Sequence, residues 1–174
     1  MFGKTIGNGY ALTAVVGTRS VMEAAQKTFI SSTFWTERIG PTAALATLKV
    51  MEKVNSWDKI TSIGKKMQEG WLHLANHHKL NITVSGIPAM TTYNFNYKNA
   101  LLYKTLITQE MLKKGFLAST IFYACTEHKE EYFTKYFLEL DKIYKTIKKC
   151  EEGILNIKDI LDGPVSHSGF KRLN

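Results

Sequence analysis

From residue 57 onward the apolar side chains keep helical spacing. Trp57, Ile60, Ile63, Met67, Trp71 and Leu74 recur every three or four positions and predict one face of a helix. Phe133, Tyr136, Phe137, Leu140, Ile143, Tyr144 and Ile147 do the same inside a longer helix predicted over residues 127–152. A third helix, over residues 99–114, is predicted to end at Gly115, where a helix C-terminus calls for left-handed backbone. Between these helices residues 81–85 and 91–95 alternate well enough for two strands that pair, with Gly86, Ile87 and Pro88 interrupting them. The apolar stretch 116–124 reads as one or two buried strands. The order helix, strand, strand, helix, strand, helix describes an α+β unit with helices over one side of a small sheet. The tail from Gly153 onward is irregular and polar and is expected to lie over the surface.

The first fifty residues read differently. Residues 10–17, YALTAVVG, are short, apolar, β-branched and flanked by glycines, and predict a buried strand entered from a Gly7-Asn8-Gly9 turn. A short helix over 19–27 follows, then a hydroxyl-rich loop over 31–41 closed by Gly40-Pro41. Pro41 suits the first turn of a helix over 42–54 whose Ala44, Leu48 and Met51 share one face. Asn55 and Ser56 offer the joint to the next helix, so the domain boundary is expected there, with residues 1–54 on one side and 55–174 on the other. One strand, one helix and a loop cannot close a core. The front segment is therefore expected to need a partner that this chain does not contain.

Composition narrows the class. With 174 residues, 44% of them hydrophobic, and charges interspersed among them, disorder is excluded as a reading. No window approaches the roughly 18 to 20 apolar residues of a membrane span, and residues 1–10 have neither a secretory nor a transit character, so a soluble, cytoplasmic protein is expected. Lys and Arg number 23 against 15 Asp and Glu. The lysines are spread over the wet faces of several helices (Lys49, Lys53, Lys65, Lys66, Lys113, Lys114, Lys145, Lys148 and Lys149), which favours a solvated surface over a nucleic-acid patch. Cys125 and Cys150 are too far apart for a redox or zinc pair.

Two places carry candidate chemistry. Lys4 stands among small residues just ahead of the predicted strand; a desolvated lysine there is a neutral amine able to attack an aldehyde, and an exposed lysine is the plainer alternative. Ser31, Ser32, Thr33 and Thr36 precede the helix at Pro41, where hydroxyls and free N–H groups can bind phosphate or simply cap the helix. His73 and His77 lie four apart with His78 beside them, but no carboxylate is in register and Lys79 is adjacent, so no metal is expected. His128 and His167 are single histidines, open to local hydrogen bonding.

FGKTIGNGYALTAVVGTRSVMEAA followed by SSTFWTERIGPTAALATLKVME resembles the lysine segment and phosphate loop of class III, fold-type I pyridoxal-phosphate enzymes. The branch it is most similar to holds glutamate-1-semialdehyde 2,1-aminomutase and its aminotransferase relatives, and the ending HSGFKRLN is similar to the terminus of aminotransferases of that branch. The resemblance implies an α/β fold class: the end of the large, cofactor-binding domain and the interdomain helix over residues 1–54, then a small α+β C-terminal domain over 55–174. It implies pyridoxal 5'-phosphate as cofactor, Lys4 as the residue forming the internal aldimine and moving the proton, and Thr36 as the threonine reaching the phosphate of a neighbouring subunit. Thr33 is the alternative, because TFWTERIGP is spaced differently from the aminomutase loop. Ser32 and Trp35 are expected to line the same pocket, and Ser119, Phe122 and Tyr123 to lie nearest the substrate, each with a core reading beside it. An amino or keto acid or an amino sugar would be the substrate, a homodimer the assembly, and nucleic acid and membranes no partners.

The resemblance spans only the C-terminal portion of such an enzyme. The turn that holds the phosphate from the large domain, the stacking aromatic and the carboxylate on the ring nitrogen have no counterpart here, so the chain by itself is not expected to transaminate efficiently. Met1 as an internal methionine of a longer frame, and Met1 as a start after loss of a front half, both remain open. Three functional readings result: aminotransferase, aminomutase-type isomerase, and non-catalytic remnant.

Overall fold

The computed structural model describes residues 2–30, 33–167 and 169. The chain divides into two units, Met1–Trp57 and Asp58–Asn174. Helices and a sheet are mixed in an α/β arrangement, and no helix among the described residues is long and apolar enough to cross a membrane.

In the second unit the hydrophobic pattern becomes a layer. Helix α3 (Ser56–His77), which begins two residues before this unit, is followed by β1 (Ile82–Ile87), β2 (Met90–Phe95), α4 (Ala100–Lys113), β3 (Ile121–Tyr123) and α5 (Glu130–Glu151). The strands form one antiparallel sheet in the order β1-β2-β3, with Val84 opposite Tyr93 and Thr91 opposite Phe122. Thr91, Tyr93 and Phe95 point into the core, while Asn94 between them is exposed, as the twofold repeat of a strand with one wet face requires. Onto the covered face pack Met67, Trp71 and Ala75 from α3, Tyr103, Leu106, Ile107 and Met111 from α4, and the α5 stripe Phe133, Tyr136, Leu140, Ile143, Tyr144 and Ile147. Gly70 of α3 lets the Phe137 ring lie against the helix, since a Cβ there would come within 2.1 Å of it.

Helix α4 ends as its sequence foretold. Gly115 has φ +82, and Phe116 and Gly115 donate back to the Met111 and Leu112 carbonyls at 3.0 Å each. Gly115→Ala keeps that turn only by putting a Cβ into left-handed backbone, at a cost of about 1–2 kcal/mol. A fall in the urea midpoint with an unchanged m-value is the expected reading.

Four sequence expectations are corrected. Stretch 116–124 yields only the three-residue β3, and Leu117 is 97% exposed, because the segment first has to climb out of the α4 cap. Residues 10–17 form no buried strand: Ala14 makes one isolated bridge to Phe2, and Tyr10, Val15 and Val16 are exposed. A strand needs partners for its backbone groups, and the described residues of the first unit hold no other strand. Helix α2 (Ile39–Val54) starts before the predicted residue 42 and does place Ala44 in a buried position, but Leu48 and Met51 of the same stripe are exposed. The helix expected over 19–27 is a single α-turn, α1 (Arg19–Met22), continued as a 3₁₀ segment, Glu23–Lys27.

Candidate functional site

Residues 3–10 fold as successive turns, with Thr5 N–H on the Gly3 carbonyl, Asn8 N–H on Thr5 and Tyr10 N–H on Gly7 at 2.7 to 3.1 Å. Lys4 takes φ 60 there. Left-handed backbone is uncommon for a side chain of that size and is kept only where the surroundings impose it. Trp35 takes φ 46 in the 33–41 loop. The two residues share a cleft of about 480 Å³, walled also by Tyr10, Leu12, Phe34 and Pro41, with Glu37 at its edge. A lysine and three aromatic residues thus line one concave surface of the first unit. Lys4 is exposed rather than desolvated.

The threonines expected to serve a neighbouring subunit's phosphate lie off this cleft. Thr33 and Thr36 are exposed and do not line the cleft, and Ser31 and Ser32 lie outside the described residues, as do Ser168 and residues 170–174 of the family-like ending. The N-terminus of α2 is not free either. The Glu37 carboxylate accepts the N–H of Ile39 with one oxygen and that of Gly40, at 3.3 Å, with the other. A negative side chain is stable at that end of a helix for the same reason that a phosphate would be. Glu37→Ala should cost the helix about 1 kcal/mol, the usual price of a lost cap, read as lower α2 protection in amide exchange.

A second cleft, about 240 Å³, opens in the second unit. Ser119 and Phe122, expected near the substrate, line it; Tyr123 is exposed and does not. His128 lines it too, its ring 4.7 Å from Phe122 and its Nδ1 accepting the Cys125 N–H at 3.0 Å. That bond places the imidazole proton of the neutral ring on Nε2. At the floor Trp71 Nε1 donates to Tyr136 Oη at 2.9 Å. Burial pushes the Tyr136 phenol well above its ordinary range, and that of Tyr144 likewise, so both stay protonated at any working pH. Burial also raises the Cys150 thiol, which makes it a poor nucleophile.

Sequence reading missed Glu37 and His128 as lining groups. Glu37 sits three residues before the Gly40 it caps, a legible spacing; His128 was assigned only local bonding, and its place in the cleft follows from the α5 packing around Phe133.

Comparison with known proteins follows the same residues. The family model for Aminotransferase class-III matches residues 1–150. The chain is 28% identical over 166 residues to a 3-aminobutyryl-CoA aminotransferase of Cloacimonas acidaminovorans, covering 92% of this chain and 38% of the relative. It is 24% identical over 165 residues to a glutamate-1-semialdehyde 2,1-aminomutase of Methanosphaera stadtmanae, covering 83% and 39%. The internal-aldimine form of the FumI protein of Sphingopyxis sp. MTA144, solved with PLP, superposes with a TM-score of 0.74 at 19% identity over 86% of this chain and 37% of that one. The chain spans less than two fifths of the length of these relatives.

Proposed function

The chain belongs to the class-III aminotransferase family, and on that footing we propose that it supplies the lysine side of a pyridoxal-phosphate site that moves an amino group to or from a small substrate. The family uses pyridoxal phosphate. When bound, that group supplies an aldehyde that captures amines and a ring that delocalises the electron pair left on the substrate carbon. The residues present fit its ring and aldehyde: the observation that carries the reading is Lys4 sharing a concave surface with Tyr10, Phe34 and Trp35. Lys4 Nζ would hold the cofactor covalently and, once released, carry the proton between the substrate carbon and the cofactor. The aromatic side chains beside Lys4 would offer flat apolar faces to the cofactor ring.

The phosphate end is served differently. Glu37 fills the α2 N-terminus beside Lys4, and exposed Thr36 lies off the Lys4 cleft. That arrangement suits a loop whose threonine reaches the site of another subunit, so the assembly proposed is a homodimer with Thr36, or Thr33 in its place, on the neighbour's phosphate. Substrates are amino or keto acids, or amino sugars. Aminomutation is the second reading, favoured by the similarity to the Methanosphaera stadtmanae aminomutase over most of this chain. The two differ in whether a keto acid leaves the protein.

The test is to reduce the cofactor-loaded protein, in the assembly it forms, with borohydride and map the modified peptide. Modification concentrated on Lys4 is expected. Modification spread over the surface lysines, or confined to another one, would refute the reading.

A further inference from the structure

Helix α3 ends in a histidine pair, and the fold delivers to it what the local sequence lacked. His77 and His78 precede Lys79, which takes φ 54, and Leu80 N–H returns to the Ala75 carbonyl at 2.8 Å while Lys79 N–H returns to Asn76 at 3.1 Å. This double return closes the helix and fixes the backbone beneath both imidazoles, with Leu80 and Ala75 anchored in the core. Their rings lie 4.8 Å apart, edge to face. From α5, 63 positions further along, Asp141 places Oδ1 2.7 Å from His78 Nε2. Asp141 follows Leu140, which is fully buried, so its helix cannot slide away. One ligand atom from each of His77, His78 and Asp141 lies within 4.8 Å of the other two.

We propose that His77, His78 and Asp141 form a binding site for a divalent cation of the zinc class that pins the C-terminal end of α3 to α5. Two imidazoles and one carboxylate are the donors that such an ion takes, at about 2.0–2.2 Å each, with water completing a tetrahedron. Rotation of the side chains alone brings three atoms at this spacing around one ion, because both backbones are already held. The C-terminal end of a helix also carries the negative end of its dipole, which favours a cation there. His73, one turn back, is not in the group, and Lys79 turns into solvent.

A simple ion pair between His78 and Asp141 is the competing account, and it has no use for His77. His77 is exposed, so His77→Ala should leave the fold intact. Titrating the full chain with zinc, the expected result is one ion bound per chain and a raised melting temperature. Magnesium, which prefers oxygen donors, should do neither. In His77→Ala the affinity should fall at least roughly 10-fold, the loss that even an outer-sphere partner brings, and the rise in melting temperature should vanish. Unaltered zinc affinity in His77→Ala, or no stoichiometric zinc on the parent chain, overturns the proposal. Neither outcome bears on Lys4.

Discussion

Trp71→Ala is expected to remove about 3–5 kcal/mol of stability, the range for deleting a large aromatic from a packed core. Trp71 is 1% exposed, its ring lies 4.5 Å from that of Tyr93, and its Nε1 is the donor to Tyr136 Oη. Three losses coincide in the alanine variant: apolar burial, the volume the indole fills, and the partner of a buried hydroxyl. Against a total stability of about 5–15 kcal/mol such a loss leaves the unit marginal or unfolded at 37 °C. Urea unfolding of the full chain, followed by far-UV circular dichroism, measures it. Trp71→Phe separates the contributions, since it keeps most of the ring contact and leaves Tyr136 without its donor, and should cost about 1–3 kcal/mol. A Trp71→Ala chain that unfolds within about 1 kcal/mol of the parent would mean that the α3–α5 contact is not the centre of this core.

Such a core was legible in the sequence because its information is local. Every member of the α5 stripe from Phe133 to Ile147 could be named from spacing, and all are buried except Phe137, which is half-buried against Gly70. Gly70 itself was not legible. Its reason for being glycine is a ring 67 positions away, and nothing in the neighbouring residues announces it. The same limit explains residues 10–17. Their β-branched apolar run is what a buried strand requires, but a strand's hydrogen bonds are made by another segment, and here only Phe2 answers. Leu48 and Met51 show the limit again: periodicity put them on the face of a helix, and periodicity cannot say whether anything covers that face.

The candidate site divides along the same line. Lys4 was singled out from the residues around it and Trp35 only through the family resemblance; the two share a cleft, each in a turn built from its own neighbours. Thr36 was expected to reach the phosphate of a neighbouring subunit, and within its own chain it lies off the Lys4 cleft. Hydroxyls ahead of a helix make an anion site of that helix only while its N–H groups are free. Glu37, the very next residue, takes two of them. Asp141 was invisible as a partner of His78 for the reason that Phe137 was invisible to Gly70: the two helices meet only in the fold.

The largest functional effect is expected at Lys4. In the assembled, cofactor-loaded protein, Lys4→Ala should lower turnover by at least about 10²–10⁴-fold, the share that a positioned proton-transfer group contributes. Lys4→Arg should fall as far, although it keeps the positive charge. Arginine holds its proton at every working pH and so can neither attack an aldehyde nor accept a proton from carbon. The comparison of the two variants therefore isolates the amine from the charge. Lys4 also occupies a φ 60 position, and either replacement keeps that backbone, so neither should change the melting temperature by more than a surface substitution does. A small primary amine added to Lys4→Ala should restore part of the rate, because the 480 Å³ cleft is open and the missing group is only a base with a proton to give. Stopped-flow measurement of the first half-reaction reads all three. Turnover within tenfold of the parent in Lys4→Ala would mean that the catalytic amine is not Lys4; a fall in Lys4→Ala with full activity in Lys4→Arg would leave Lys4 as a charge that holds an anion rather than the amine that moves the proton.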